Sequence, residues 1–236
     1  MNRLLAALLL ALPAAAVHAT QVIDDFESLT NPNDWGWTNN GGGTFTIEPD
    51  GGNPGAWLDS GVPYFSDHPN LTSIPPEGSA LRAALASGTL VSASIDLEEL
   101  DTSDVTNCHP TSTLPSALTL EFIDLHSDPG GAVIEAHNDD GPQTPGGPFP
   151  WRSASFPIAS DATDVPPGWV LNAPPELNYT WQDLMHNIDG IRFFVVNPED
   201  ITFDSCWHLG ADNVVITYGD TDTIFADGFD VPGQRR

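Results

Sequence analysis

The stretch Leu209-Gly210-Ala211-Asp212-Asn213-Val214-Val215-Ile216-Thr217-Tyr218 reads as a β-strand with an acid set into it. Val, Ile, Thr and Tyr favour a pleated backbone, yet Asp212 and Asn213 interrupt the apolar run. Near the other end of the chain, Gln21-Val22-Ile23-Asp24-Asp25-Phe26-Glu27-Ser28 has the same character. A carboxylate among apolar groups is costly unless something pairs with it, and one divalent cation can serve several. Together the two segments predict one β-sandwich whose first and last strands are neighbours and share a structural calcium ion.

Residues 1–19 are of another kind. Met1-Asn2-Arg3 gives a positive start, Leu4 to Ala16 an apolar run, and Val17-His18-Ala19 small residues where a leader peptidase cuts. This is the pattern of an export signal, and it is too short to span a bilayer; an uncleaved anchor is the competing reading. No other stretch is long and apolar enough for a membrane helix. Residues 20–218 have the length of a single sandwich domain, with no linker, charge block or repeat dividing them. Residues 219–236 form a short acidic tail. It is not an EF-hand loop, because the sixth position from Asp220 is Phe225, where that loop needs Gly.

The 236 residues include 33 acids and only six basic residues, all arginine, for a formal charge of −27. Such a surface repels nucleic acid and anionic lipid and attracts divalent cations; solubility in a salty medium is the plainer account of it. Two cysteines, Cys108 and Cys206, fall in the exported part. An oxidising compartment favours a disulfide between them. Closing so long a loop is worth roughly 4 kcal/mol in the chain-entropy picture. Cys108-His109 with Cys206-Trp207-His208 could instead form a Cys2His2 metal site, although the usual two-residue gaps are missing.

With 21 Gly and 22 Pro, long helices are broken and turns are frequent. The apolar runs between the breaks predict strands near 21–27, 43–48, 55–59, 79–86, 89–97, 117–127, 132–138, 152–158, 190–196, 201–207 and 211–218. One helix is expected, Thr180 to Ile188. Thr180 caps it, Asp183 stands at its third position, and Trp181, Leu184, Met185 and Ile188 share a face. The fold class is therefore all-β, an antiparallel sandwich of jelly-roll type with one short helix. Long loops near 60–78, 102–116, 139–150 and 161–178 would lie at its rims.

These features resemble the jelly-roll modules of the galactose-binding-like class, which include many carbohydrate-binding modules. There an early Phe-Glu followed closely by Trp, as in Phe26-Glu27 with Trp35 or Trp37, pairs with a late Asp-Asn-Val strand, as in Asp212-Asn213-Val214. The chain is also similar to laminin B (domain IV) modules, through Ser92 to Leu97, the helix Trp181 to Ile188, Gly190-Ile191-Arg192 and the closing strand. The resemblance implies a structural calcium between first and last strands, with Glu27 and Asp212 as ligands, and sugar binding or matrix contact as common uses. Asp25 joins the ligand set on charge alone, and Asn31, Asn33 and Asp34 could add oxygens. The tail Ile224 to Asp230 is similar to C-terminal tails of exported proteins from some proteobacteria.

Two further constellations stand out. Asp124-Leu125-His126 and Glu135-Ala136-His137 flank Asp128-Pro129-Gly130-Gly131, which reads as a hairpin turn. A register pairing Asp128 with Gly131 would put Asp124, His126, Glu135 and His137 on one side of the ribbon, as a second metal site or as a solvated face of His–carboxylate pairs. Seven tryptophans are many for this length. Trp57 and Trp151, bordered by loop residues, are the candidates for exposed rings that stack on sugars. Gly-x-Ser-x-Gly, His-Glu-x-x-His and phosphate-loop signatures are absent from the sequence. The expected function is thus non-catalytic binding of extracellular carbohydrate or matrix. A metal-dependent hydrolase built on Asp124, His126, Glu135 and His137, and a structural surface protein without small ligand, are the alternatives.

Overall fold

The expected partnership of the chain's two ends is present. Strand β1 (Ala19–Asp24) runs antiparallel to the last strand, Leu209–Gly219, with Val22 opposite Ile216 and Asp24 opposite Val214. The computed structural model describes residues 19–27, 36–38, 45–61, 70–102, 116–138, 140–145, 147–196 and 207–219. In chain order the other strands are β2 (Trp37–Thr38), β3 (Thr46–Gly52), β4 (Gly55–Asp59), β5 (Asn70–Ser73), β6 (Leu90–Glu99), β7 (Ser116–Asp124), β8 (Ile134–Asn138), β9 (Gln143–Thr144), β10 (Phe149–Pro157), β11 (Trp169–Asn172), β12 (Gly190–Val196) and β13 (Leu209–Gly219). One sheet has the order β10-β6-β13-β4-β3, with β1 also on β13; the other runs β11-β8-β7-β12-β5-β2, with β9 on β7. Each paired set of strands is antiparallel.

Alternation within the strands builds the core between the two sheets. Ala93, Ile95 and Leu97 of β6 and Val214 and Ile216 of β13 are buried with Leu118, Leu120 and Phe122 of β7 and Ile191, Phe193 and Val195 of β12. Phe156 of β10 meets Phe193 across the sheets, with ring centroids 6.1 Å apart. Burying one such side chain is worth about 1.5–3 kcal/mol, so this interior is the main source of stability.

The helix content corrects the expectation of a single helix. Helix α2 (Trp181–Asn187) has the expected capping box, with Thr180 and Asp183 bonded reciprocally. A second helix, α1 (Ala80–Leu85), occupies the segment read as a strand over 79–86. Leu81, Ala84 and Leu85 are its buried residues, and Ser79 caps it by accepting from the Arg82 backbone N–H at 3.2 Å. That spacing of three and four is helical, and alanine-rich sequence favours it. A 3₁₀ turn spans Pro175–Leu177. Of the expected strand over 201–207, residues 201–206 lie outside the described residues, as do Cys108, Cys206, His109, Asn31, Asn33, Asp34, Trp35, residues 1–18 and the tail from 220.

Candidate functional site

Strand β13 changes partner at the acid set into it. Gly210 and Ala211 pair with β4, whereas Val214 to Gly219 pair with β1. At the same point its register on β6 shifts between Asp212 and Val215, and Asn213 adopts a left-handed φ of 47°. One extra residue is thus inserted, as in a β-bulge. The inward set passes from Leu209 and Ala211 to Val214 and Ile216. Asp212 is the last residue of β13 paired with β6 before the bulge, opposite Asp96, and the tip of the β3–β4 hairpin folds over it.

That tip is held by side chains distant in sequence. Asp212 Oδ2 accepts from the Asn53 backbone N–H at 2.6 Å, and Glu27 Oε1 accepts from that of Ala56 at 2.9 Å. Asn213 Nδ2 donates to the Asn53 carbonyl and to Asp96 Oδ2, which also receives Asn53 Nδ2. The indole N–H of Trp57 donates to the Asp50 carbonyl at 3.1 Å, and that of Trp151 to the Gly51 carbonyl at 3.0 Å. The two indoles meet edge to face at 5.9 Å.

Glu27 and Asp212 therefore converge on one turn. A Cβ on Gly55 would stand 1.6 Å from Glu27 Oε1, and one on Gly52 would stand 2.8 Å from Asp212 Oδ2. Gly52 and Gly55 are themselves paired across the hairpin. Gly55 also has φ +92°. Gly55→Ala is expected to cost about 2–3 kcal/mol, through backbone strain and displacement of Glu27. Gly78→Ala, at φ +79° with open space around it, isolates the backbone strain and is expected to cost about half as much. Urea midpoints of the two variants test the difference.

Asp25, chosen on charge alone, is exposed and only closes a turn by accepting from the Glu27 N–H at 3.2 Å. The buried acid of β1 is Asp24, which accepts from the Trp37 indole N–H at 2.9 Å. Period two carries this signal, since Val22 and Asp24 face inward while Ile23 and Asp25 face out. Burial raises Asp24 to about 6, against its bonds from Trp37 and Phe26 and with help from neighbouring Asp25 and Asp212. Burial likewise raises Asp212 to about 6, with Asp96 and Glu27 adding repulsion. Among the described residues no ion pair joins Asp24, Asp25, Glu27, Asp96 or Asp212 to a basic side chain. An all-oxygen donor set without a cationic partner is the chemistry of a hard cation such as calcium. No three His, Cys, Asp or Glu side chains group as a metal cage among the described residues, so a cation here would draw its remaining oxygens from backbone carbonyls.

Of the two tryptophans expected to offer exposed rings, Trp57 is buried and Trp151 only partly accessible. Trp57 is 8% exposed and lies against Gly210 under Trp151, while Trp151 is half-buried at the surface.

The second expected cluster does not assemble. Glu121 opposes His137, Ile123 opposes Glu135 and Asp124 opposes Ile134, a register one residue from the expected one. Leu118, Leu120 and Phe122 take the inward positions of β7, so Asp124 shares their parity and is buried. There it accepts from the Tyr179 hydroxyl at 2.5 Å and from the backbone N–H groups of His126 and Ser127. Burial works to raise its pKa, but these hydrogen bonds prevail and hold it below the usual range. Glu135 and His137 stay on the outer face with Glu121 and Arg192, which are 2.5 Å apart. Burial lifts Glu121 to about 7 despite Arg192. His126 has a side chain 72% exposed and turns instead to Asp189, with Nδ1 2.8 Å from Oδ2. His208 pairs with Asp59 at 2.6 Å.

No protein-family model matches the chain, and no curated protein matches it. Among solved structures it is similar to the carbohydrate esterase vb_24B_21 from the Shiga toxin-encoding bacteriophage phi24B. The identity is 13%, over 78% of this chain and 91% of that one, with a TM-score of 0.37. A likeness of that degree bears on neither activity nor ligand. Among the described residues no helix is long and apolar enough to cross a membrane.

Proposed function

We propose that the chain is an exported, non-catalytic β-sandwich that binds extracellular carbohydrate or matrix, with calcium fastening the β3–β4 hairpin. The observation that carries this reading is the hairpin tip, which has beneath it acids without an ion-pair partner among the described residues, and two indoles beside it. Calcium held by Glu27, Asp212 and nearby backbone carbonyls would supply charge neutralisation there. The chain's own groups do the rest. Trp57 is the packed base, and Trp151 rests on it with its N–H fixed on Gly51, so the outer ring keeps one orientation. A fixed flat ring beside polar side chains suits the apolar face of a sugar and loses little entropy on binding. The charge of −27 disfavours nucleic acid and anionic lipid as partners. A leader over residues 1–19 and a Cys108–Cys206 disulfide belong to the same reading.

Affinity electrophoresis through a panel of neutral polysaccharides tests it. Retardation by at least one glycan, lost in Trp151→Ala and kept in Trp37→Phe, is the expected result. Mobility unaffected by every glycan, or identical for Trp151→Ala, would overturn it. Calcium-dependent self-association without retardation would point to a structural surface protein.

A further inference from the structure

A cavity of about 570 Å³ opens on the flank of the sandwich, away from the hairpin. Its floor is Trp169 and Phe156, its walls are Pro142, Pro157, Pro166 and Pro167, and its polar groups are Asn138, Asp140 and Ser155. The size falls within the range of small-molecule sites. Its frame is fixed by packing and hydrogen bonds. Trp169 stacks on Phe122 at 5.3 Å with the rings nearly parallel, and meets Trp181 edge-on at 5.1 Å. The Trp169 N–H closes the proline segment onto the Pro166 carbonyl at 3.1 Å. Proline walls have little conformational freedom left to lose.

Asn138 is the unexplained group. It is 9% exposed and pairs with Trp169 across β8–β11, so both side chains point to the same face. Its Oδ1 accepts from the Asp140 N–H at 2.8 Å. Its Nδ2 has no hydrogen-bond partner among the described residues, although it carries two donors. A buried amide left unpaired costs about 1–3 kcal/mol, and natural structures rarely leave one so without a reason. The neighbouring Asp140 carboxylate lies against Gly168, where a Cβ would stand 2.7 Å from Oδ2. It offers acceptors at the cavity mouth, and Ser155 offers a hydroxyl.

We infer that this flank cavity is a separate binding site for one ring of a neutral sugar, with Asn138 Nδ2 donating to a ring hydroxyl. The ligand must carry acceptors for the amide, donors for Asp140 and an apolar face for the proline and aromatic walls, and a pyranose has all three. No basic side chain lines the cavity, so acidic sugars meet Asp140 uncompensated and are excluded. The site deepens the carbohydrate reading but uses neither calcium nor Trp151.

The test is a ¹H–¹⁵N NMR titration of the intact protein with glucose, galactose, mannose, xylose and N-acetylglucosamine, with glucuronic acid as the acidic comparison. Saturable shifts with a neutral sugar are expected at the Asn138 side-chain amide and the Trp169 indole. Asn138→Leu should weaken binding roughly tenfold or more, by loss of the hydrogen bonds, while leaving the melting temperature unchanged or higher. Asn138→Ala, which removes the amide without filling its place, should give the same loss if the leucine variant does not fold. Chelator and Trp151→Ala should leave these shifts intact, so failure at the hairpin and failure here are separable. No shift with any neutral sugar, unaltered binding by both Asn138 variants, or equal binding of glucuronic acid would each overturn the inference.

Discussion

Calcium returned to metal-free protein near neutral pH is expected to raise its melting temperature by about 8–16 °C. A ligand at a thousand times its dissociation constant adds about 4 kcal/mol, and each kcal/mol is worth about 2–4 °C for a domain of this size. Buried Asp24 on β1 and Asp212 beneath the hairpin supply the sign of the pH dependence. Asp24 and Asp212 sit at about 6 in the folded state, against about 3.9 in an unfolded chain. Between those values the metal-free fold holds more protons than the unfolded chain. Its stability is therefore full below about pH 4 and is lost as pH rises through about 6. For the deeply buried Asp24 the loss is at most about 3 kcal/mol. Calcium bound at Asp212 is expected to oppose the trend there, because it would take the place of that proton. The calcium-induced rise should shrink to a few degrees at about pH 4.5, where protons already neutralise the pair. Differential scanning calorimetry with chelator and with calcium, at both pH values, reads the effect directly. A melting temperature that ignores chelation near neutral pH would remove the metal from the site.

The architecture was legible where one strand's own alternation decided it. Val22 and Asp24 against Val214 and Ile216 announced the pairing of the two ends, and Ala93, Ile95 and Leu97 announced the inner face of β6. The capping box at Thr180 and Asp183 marked α2 locally. Strands of two to four residues were not legible. Trp37–Thr38, Asn70–Ser73, Gln143–Thr144 and Trp169–Asn172 are too short for a period to show, and the last three lay in stretches read as rim loops. Helix α1 was misread because Leu81, Leu85 and the surrounding alanines suit either period until Ala84 is counted with them.

At the site, sequence reasoning reached Glu27 and Asp212 but missed Asn53, Asp96 and Asn213, which bind one another through a bulge and a folded hairpin tip. Neither feature leaves a pattern within any one strand. The error over Asp124, His126, Glu135 and His137 is one of register. Pro129-Gly130 reads as a tight turn, whereas nine residues, 125–133, separate β7 from β8. Asp128 organises that loop by accepting from the Gly130 and Ala132 N–H groups. A shift of one residue moves every side chain to the other face. The residue that then satisfies Asp124 is Tyr179, 55 positions away. Asn138 left no signal at all, since a lone Asn at the end of a strand reads as a turn residue.

Asp189→Ala is expected to be among the most damaging single changes, with a loss of about 3–5 kcal/mol. Asp189 is 3% exposed and stands in the turn from α2 into β12. Its carboxylate pairs with Arg82 of α1, accepts from the Leu125 N–H at 2.5 Å and meets His126 Nδ1 at 2.8 Å. Its own N–H bonds the Ile123 carbonyl at 2.7 Å, and its carbonyl receives Arg82 Nη1. One residue thus joins both helices to the end of β7. Truncation leaves the Arg82 guanidinium, already burdened by burial, without its buried partner, and leaves the Leu125 N–H without its acceptor. Breaking a buried pair costs far more than replacing both members with apolar groups. Asp189→Leu combined with Arg82→Met should therefore recover most of what Asp189→Ala loses, while Arg82→Met alone recovers nothing. His126→Ala should cost less than about 1 kcal/mol, because that imidazole is largely in water. Denaturant midpoints at constant slope for these variants, with Asp189→Leu alone added to complete the cycle, test this. A loss below about 1 kcal/mol in Asp189→Ala, or a double variant no better than the truncation, would show that the two helices are held to β7 by apolar packing alone.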